Sequence, residues 1–323
     1  MPYAIRIHET GGPEKMRWEE VSVDSPGPGQ VLVRNTAIGL NFIDVYQRTG
    51  LYPLSLPLTL GMEGAGVIEA VGPKVKEFKV GDRVAYANPI GSYAEVCVRP
   101  VERLVKIPAG VDDKIAAAIM LKGMTAWYLV KRTYKVKKGD TVLVHAAAGG
   151  VGQILCQWAK HLGATVIGTV GSDDKAPLAK KAGCKHVIVI SREKFVDRVK
   201  EITKGKGVAV VYDGVGKDTF MDSLDCLAPL GLMASFGNAS GAVTQFNPGV
   251  LAQKGALFLT RPTLFTYTAK REDLLKAAQD LFAVVKNKAV KISINQTYPL
   301  RDAAQAHIDL EARKTTGSTV LLP

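Results

Sequence analysis

At 323 residues, with 47% hydrophobic and 22% charged side chains, the chain is long enough for two domains with packed cores and too apolar for a disordered protein. No apolar run reaches the roughly 18–20 residues that a membrane-spanning helix needs, and Met1-Pro2-Tyr3-Ala4-Ile5-Arg6 alternates like a strand where a secretion signal would be apolar. The net charge of +12 admits nucleic acid as a partner, but the basic residues are spread over amphipathic segments without interleaved aromatics, so nucleic acid is expected to bind weakly or not at all.

Along the first 120 or so residues, short strand patterns follow one another. Val31–Ile38 alternates, Gly66–Gly72 and Asp82–Tyr86 are short apolar runs, and turn clusters at Gly11-Gly12-Pro13 and Ser25–Gly29 punctuate them. This spacing predicts a small barrel-like domain. Cys97, Cys156, Cys184 and Cys226 are scattered and lack C-x-x-C spacing, which argues against a disulfide framework or a zinc cluster and fits a reducing, cytoplasmic setting.

From Thr141 the pattern becomes strand, helix, strand, helix. Strands are predicted at Thr141–His145, Thr165–Thr169, His186–Ile190, Val208–Asp213, Leu232–Ser235 and Ala256–Thr260, with amphipathic segments between most of them. Parallel strands need such crossovers and are buried on both faces, so the expectation is an α/β, doubly wound parallel sheet. The tail changes again: a helix over Lys270–Lys286, a strand at Val290–Ile294, a short helix and a last strand at Ser318–Leu322, which could rejoin the first domain.

The most informative stretch joins the first of those parallel strands to its helix: Thr141-Val142-Leu143-Val144-His145-Ala146-Ala147-Ala148-Gly149-Gly150-Val151-Gly152. A β-branched run, a small-residue turn and an apolar helix (Ile154 to Leu162) form the layout of a dinucleotide phosphate loop, although Ala147 replaces the first glycine of G-x-G-x-x-G. Gly149, Gly150 and Val151 are expected to present backbone N–H groups to a pyrophosphate at the helix start.

With that loop in place, Gly39-Leu40-Asn41-Phe42-Ile43-Asp44, Gly50-Leu51-Tyr52-Pro53, Gly61-Met62-Glu63-Gly64-Ala65-Gly66-Val67, Gly81-Asp82-Arg83-Val84, Leu121-Lys122-Gly123-Met124-Thr125 and Tyr212-Asp213-Gly214-Val215-Gly216 give the whole chain a further likeness. It resembles the medium-chain dehydrogenase/reductase superfamily, and within it the zinc-independent quinone oxidoreductase (zeta-crystallin-like) branch. The resemblance implies a GroES-like, β-barrel-type substrate domain of residues 1–122 and 263–323, with a Rossmann NADPH-binding domain of residues 123–262 inserted into it. It also implies a homodimer, for which Ala256–Thr260 offers a sheet edge that could pair with its copy.

Zinc-dependent members of the superfamily carry Cys where this chain has Asn41, and Gly-His-Glu where it has Gly61-Met62-Glu63. The four-cysteine zinc lobe is absent, and His8, His145, His161, His186 and His307 show no ligand spacing. No metal is therefore expected. Without a Lewis acid, hydride transfer needs an acceptor that is already electrophilic, such as a quinone or an activated enone.

Registered against the superfamily, Val170 stands at the end of the second Rossmann strand, where NAD-specific domains carry an acidic residue. Ser172 and Lys175 follow it, and Lys175 and Arg313 match the family's phosphate-binding cations, which favours NADPH as the cofactor. By the same matching, Asn41 and Tyr46 lie beside nicotinamide and substrate, Tyr52 lines the pocket, and Thr125 and Tyr128 contact the cofactor. Phe236, Gly237 and Asn238 follow the fifth parallel strand and Arg261 the sixth, at the carboxyl edge where such sheets bind ligands. The resulting expectation is an NADPH-dependent quinone reductase that works in an interdomain cleft. The alternatives are reduction of an α,β-unsaturated carbonyl (enone or enoyl thioester) and a crystallin-like single-stranded nucleic-acid binding role.

Overall fold

Eight strands and two helices make up the first part of the chain in the computed structural model, which describes residues 1–323. The strands are β1 (Tyr3–Ile7), β2 (Arg17–Glu20), β3 (Gln30–Leu40), β4 (Leu58–Thr59), β5 (Glu63–Val71), β6 (Arg83–Tyr86), β7 (Val96–Pro100) and β8 (Val105–Lys106), and the helices are α1 (Phe42–Arg48) and α2 (Asp113–Tyr128). The alternating run at Val31–Ile38 is the centre of the long β3, whose side chains are alternately buried and open along most of its length.

Strands and helices then alternate: β9 (Thr141–Val144), α3 (Gly150–His161), β10 (Thr165–Val170), α4 (Ala176–Lys181), β11 (His186–Val189), α5 (Phe195–Thr203), β12 (Val208–Asp213), α6 (Phe220–Leu224), β13 (Leu227–Ser235), α7 (Gly249–Gln253) and β14 (Phe258–Thr260). After α8 (Leu264–Tyr267) and α9 (Arg271–Lys286), the chain ends with β15 (Ile294–Pro299), α10 (Ala303–Glu311) and β16 (Ser318–Leu322).

Two compact units result. Unit 1 comprises Met1–Met124, Thr268–Phe282 and Ile292–Pro323, and unit 2 comprises Thr125–Tyr267 and Ala283–Lys291. In unit 1, β2, β1 and β4 form a small sheet, and a larger one runs β15-β16-β3-β5-β6-β8 with β7 also paired to β3. The C-terminal tail rejoins the first strands directly, since β16 lies antiparallel to β3 with Thr319 opposite Leu40 and Leu321 opposite Ile38. One core gathers Ile5, Ile7, Ile38, Leu40, Leu60 and Leu321, and a second gathers Val31, Val33, Ile68, Phe78, Val84 and Leu104.

Unit 2 holds a six-stranded parallel sheet in the order β11-β10-β9-β12-β13-β14, around a core that includes Leu143, Ile167, Ile188, Val211 and Met233. The strand order reverses between β9 and β12, and at such a switch point the loops beyond the carboxyl ends part to leave room for a ligand.

Three predicted strands begin elsewhere, the fifth parallel one at Leu227 instead of Leu232. Ala256 has φ 54°, so its backbone belongs to a turn and β14 starts only at Phe258. The apolar Val290–Ile294 run closes the end of α9 instead of forming a strand: Val290 is buried and its N–H bonds Val284 O at 2.9 Å. The strand of this region is the half-buried β15 that follows.

Candidate functional site

The phosphate loop of unit 2 follows from the buried β9 and a sharp reversal at Ala146, which has φ 51°. The Ala147 N–H bonds Thr169 O at 2.9 Å, and the Gly149 N–H bonds Ala146 O at 2.9 Å, so the loop closes on itself before α3 begins. Gly149 is the N-cap, and Gly150 and Val151 open the helix, where N–H groups have no intrahelical acceptor. A Cβ on Gly152 would run into the Ala146 carbonyl oxygen and stand 2.9 Å from Ala147 Cα, so only glycine lets helix and loop approach. This cradle fits a pyrophosphate.

At the end of β10, Val170 is buried and no carboxylate occupies the strand terminus. Ser172 precedes a 3-10 turn over Asp173–Lys175, in which Lys175 is half-buried. Asp173 turns to solvent and pairs with the exposed Arg192 at 3.0 Å, so it does not oppose a 2′-phosphate at the strand end. These features fit NADPH. Arg313, the other expected phosphate cation, is an exposed residue of unit 1 at φ 59°.

Beyond β13, the Phe236 N–H bonds Asp213 O at 2.8 Å, and Gly237 packs so closely on Gly214 that a Cβ there would meet the Gly214 carbonyl. Arg261 donates through Nη1 to Ser235 O at 2.8 Å and to Gly237 O at 3.1 Å. It therefore fixes the loop bearing Phe236, Gly237 and Asn238. Tyr128 is buried and stacked on Tyr267 with ring centroids 4.6 Å apart, and Thr125 is buried one turn earlier on α2.

Beneath the loop lies a network that sequence reasoning missed. His145 is buried, with Nδ1 2.9 Å from Thr169 Oγ1 and Nε2 2.9 Å from Ser223 Oγ. Ser223 donates to Asp213 Oδ2 at 3.3 Å, so its oxygen accepts from His145 Nε2–H and the imidazole is the Nε2 tautomer. Burial lowers the His145 pKa, although nearby Asp213 raises it, which keeps the ring neutral. Thr219 and the Val215 and Gly216 N–H groups complete the Asp213 carboxylate.

In unit 1, α1 carries the expected substrate residues. Asn41 and Asp44 form a capping box at its start, in which the Asn41 N–H donates to Asp44 Oδ2 at 2.9 Å. Tyr46 is buried on α1 and packs edge-on against the half-buried Tyr52 at 5.3 Å, while its carbonyl takes the Tyr52 N–H at 3.0 Å. Asn41, Tyr46 and Tyr52 are thus drawn together by one short helix and its exit loop.

Glu63 and Lys122, which stand in the sequence only as members of motifs, anchor this region. The fully buried Glu63 accepts the Leu121 N–H at Oε1 (2.6 Å), and at Oε2 it accepts Lys122 Nζ (3.0 Å) and Asn41 Nδ2 (2.9 Å). Gly39 must lack a side chain here, because a Cβ would meet that carboxylate and the Ala117 carbonyl. The available signal was a charge inside an apolar run, Glu63 among glycines and Lys122 on a helix of alanines, isoleucines and methionines.

Asp44 is also fully buried, and burial pushes its pKa up to about 7 against the lowering effect of the Asn41 N–H, Tyr93 and Lys122. Tyr93 donates to Asp44 Oδ2 at 2.9 Å and lies 3.1 Å from His307 Nε2. His307 Nδ1 accepts from Arg48 Nη1 at 2.9 Å, and burial with the Arg48 charge takes its pKa down to about 3. Arg48 closes the chain on Glu311 at 2.8 Å.

Metal ligation is poorly served. Gln47 donates to Met62 Sδ at 3.3 Å, the Glu63 carboxylate is neutralised by Lys122, and no group of three or more His, Cys, Asp or Glu side chains is placed to hold an ion. An amide, a thioether and a committed carboxylate do not fit a zinc site.

Residues 27–109 match the model of the alcohol dehydrogenase GroES-like domain, and residues 150–282 that of the zinc-binding dehydrogenase family. The chain is 54% identical to the quinone oxidoreductase of Pseudomonas aeruginosa, with 100% of both chains covered. It is 50% identical to a 2-haloacrylate reductase of a Burkholderia species, covering 100% of this chain and 99% of that one. Among solved structures, Escherichia coli quinone oxidoreductase complexed with NADPH superposes with a TM-score of 0.98 at 49% identity, covering 99% of this chain and 100% of that one.

Proposed function

The chain belongs to the medium-chain dehydrogenase/reductase superfamily, in its quinone oxidoreductase branch, and on that premise we propose that it is an NADPH-dependent quinone reductase that works without a metal. The observation that carries the reading is the pairing of a phosphate cradle whose second strand ends on Val170 with Asn41 and Met62 at the positions that the resemblance matches to zinc ligands.

NADPH, when bound, supplies the hydride. The Gly150 and Val151 N–H groups, beside Gly149, would hold its pyrophosphate, Ser172, Lys175 and Arg313 would hold its 2′-phosphate, and Phe236–Asn238, Thr125 and Tyr128 would border the remainder. Asn41, Tyr46, Tyr52 and Arg261 would border the nicotinamide and the acceptor. Tyr46 and Tyr52 offer apolar ring surface with hydroxyl groups, a surface suited to a flat quinone. Catalysis comes from proximity and exclusion of water, and solvent supplies the proton that completes the hydroquinone.

A second reading has its own support in the 50% identity to a 2-haloacrylate reductase: hydride delivery to an alkene activated by a carbonyl group. The test is a steady-state panel of quinones, alkenals, haloacrylate and enoyl thioesters with NADPH and NADH. Quinones should give kcat/KM at least about tenfold above any alkene. An alkene ahead of every quinone would transfer the assignment to the second reading.

We assign the protein to the cytoplasm, as four free, buried cysteines suit a reducing compartment. A homodimer would form through β14, the edge strand of the parallel sheet, where Phe258 is 59% exposed. The domains we assign are 1–122 with 263–323 for the substrate and 123–262 for the cofactor. Nucleic acid is left with at most a salt-suppressed association through the +12 charge.

A further inference from the structure

Strand β7 reads Val96-Cys97-Val98-Arg99-Pro100. Side chains two apart on a strand share a face, so Arg99 points with Cys97 to the side that Val31, Val33, Val84 and Tyr86 cover. A guanidinium keeps its proton at any ordinary pH, and a charge placed in a core needs a counter-charge. Three basic side chains of the chain are buried: Arg48, Arg99 and Lys122. Arg48 is paired with Glu311 at 2.8 Å and Lys122 with Glu63 at 3.0 Å.

Arg99, only 3% exposed, has no carboxylate partner. Its Nη1 donates to Ile90 O at 3.1 Å, and its guanidinium carbon lies 4.5 Å from the centre of the Tyr86 ring. Nε and Nη2 are buried without any hydrogen-bond acceptor. The Tyr86 hydroxyl donates to Asn35 Oδ1 at 2.7 Å and burial pushes its pKa up, so it brings no negative charge. The neighbouring loop leaves room on this side. Apart from its own chain neighbours, a Cβ built on Gly91 would meet only Arg99 Nη1 and Nη2, each at 3.7 Å, and Gly91 has φ 107°, which suits no other residue.

We propose that Arg99 is the anchor of a buried anion site in unit 1, which takes a small anion of one negative charge on its Nε–H and Nη2–H edge. That edge presents two parallel donors, and it suits a halide bridging them or a planar oxyanion such as formate or nitrate. The core residues around it leave no place for a nucleotide. Through Ile90 the anion would steady a loop whose Gly91 and Ser92 N–H groups bond Gly61 O at 2.8 and 3.0 Å, next to Met62 and Glu63.

The experiment is thermal unfolding of the wild type, Arg99→Met and Cys97→Ser in gluconate, with gluconate replaced at constant ionic strength by chloride, bromide, nitrate or formate. The wild type and Cys97→Ser should gain about 3–5 °C in Tm in the anion that fits, and Arg99→Met less than about 1 °C. A gain confined to chloride and bromide assigns the site to halide, and a gain confined to nitrate and formate assigns it to a planar oxyanion. The proposal is overturned if the wild type and Arg99→Met respond alike to all four salts. It is equally overturned if a response appears only in Cys97→Ser, since the Cys97 thiolate would then be the counter-charge. Should Arg99→Met not fold, wild-type crystals grown in bromide and in formate decide. An anion on Nε and Nη2 supports the site, whereas water alone there, with anions confined to surface lysines, overturns it.

Discussion

The phosphate loop of unit 2 and the Asn41 region of unit 1 both order polar groups at a buried place, and they do so by opposite means. The loop uses backbone: glycine at 152 for close approach, N–H groups at a helix start, and a strand end kept free of carboxylate at Val170. The Asn41 region uses side-chain charge: Glu63 and Lys122 buried together, with Asp44 and His307 buried nearby under shifted pKa values. A backbone cradle fails sterically, when atoms are added to it. A charge-built region fails electrostatically, when one partner is removed.

That contrast can be broken most forcefully at Gly152. Valine there would drive its side chain into the Ala146 carbonyl, and NADPH binding should fall by at least about a thousandfold, as read by fluorescence titration. Next comes the ion pair. Lys122→Met strands a buried carboxylate and should cost about 3–5 kcal/mol in chemical denaturation, while Glu63→Gln added to it should restore more than half of that loss. Equal stability of the two variants would show that the charges are not coupled.

Titration sharpens the comparison further. Asp44 has a raised pKa in the folded chain, so folded protein holds a proton that the unfolded chain has released, and stability falls as pH rises from about 4 through 7. His307 has a lowered pKa, so the unfolded chain takes up a proton first, and stability falls as pH drops from about 6.5 towards 3. Asp44→Asn should therefore gain stability relative to the wild type across pH 4–7, on the order of 2 kcal/mol, in parallel denaturation curves. A difference that does not vary with pH would remove Asp44 as the titrating group. The smallest expected effect is at Lys175, where glutamate should weaken NADPH about tenfold and leave NADH within about twofold.

The two regions also differed in how far the sequence disclosed them. The loop was legible because its parts are contiguous: Val142–Val144, the glycines and the α3 helix lie within some twenty residues and obey local rules. That the sheet is parallel followed from the alternation of strands and crossovers. In the Asn41 region only α1 was local, and Asn41, Tyr46 and Tyr52 were found through family motifs. Glu63, Lys122, Tyr93 and His307 meet it through bonds that span 22 to 259 residues of chain, and no periodicity encodes such a meeting. Val290–Ile294 misled for a related reason: an apolar run says what is buried, and it was α9 that claimed Val290.

On the proposed reading NADPH delivers hydride to an acceptor that needs no Lewis acid, since Asn41 and Met62, which the resemblance matches to zinc-ligand positions of other members, are instead bonded to Glu63 and Gln47. Its most direct measurement is NADPH-driven quinone reduction before and after exhaustive chelation, with metal analysis of the same sample. The account predicts unchanged kcat and KM and no stoichiometric zinc. Activity lost to chelation and restored by zinc would contradict it.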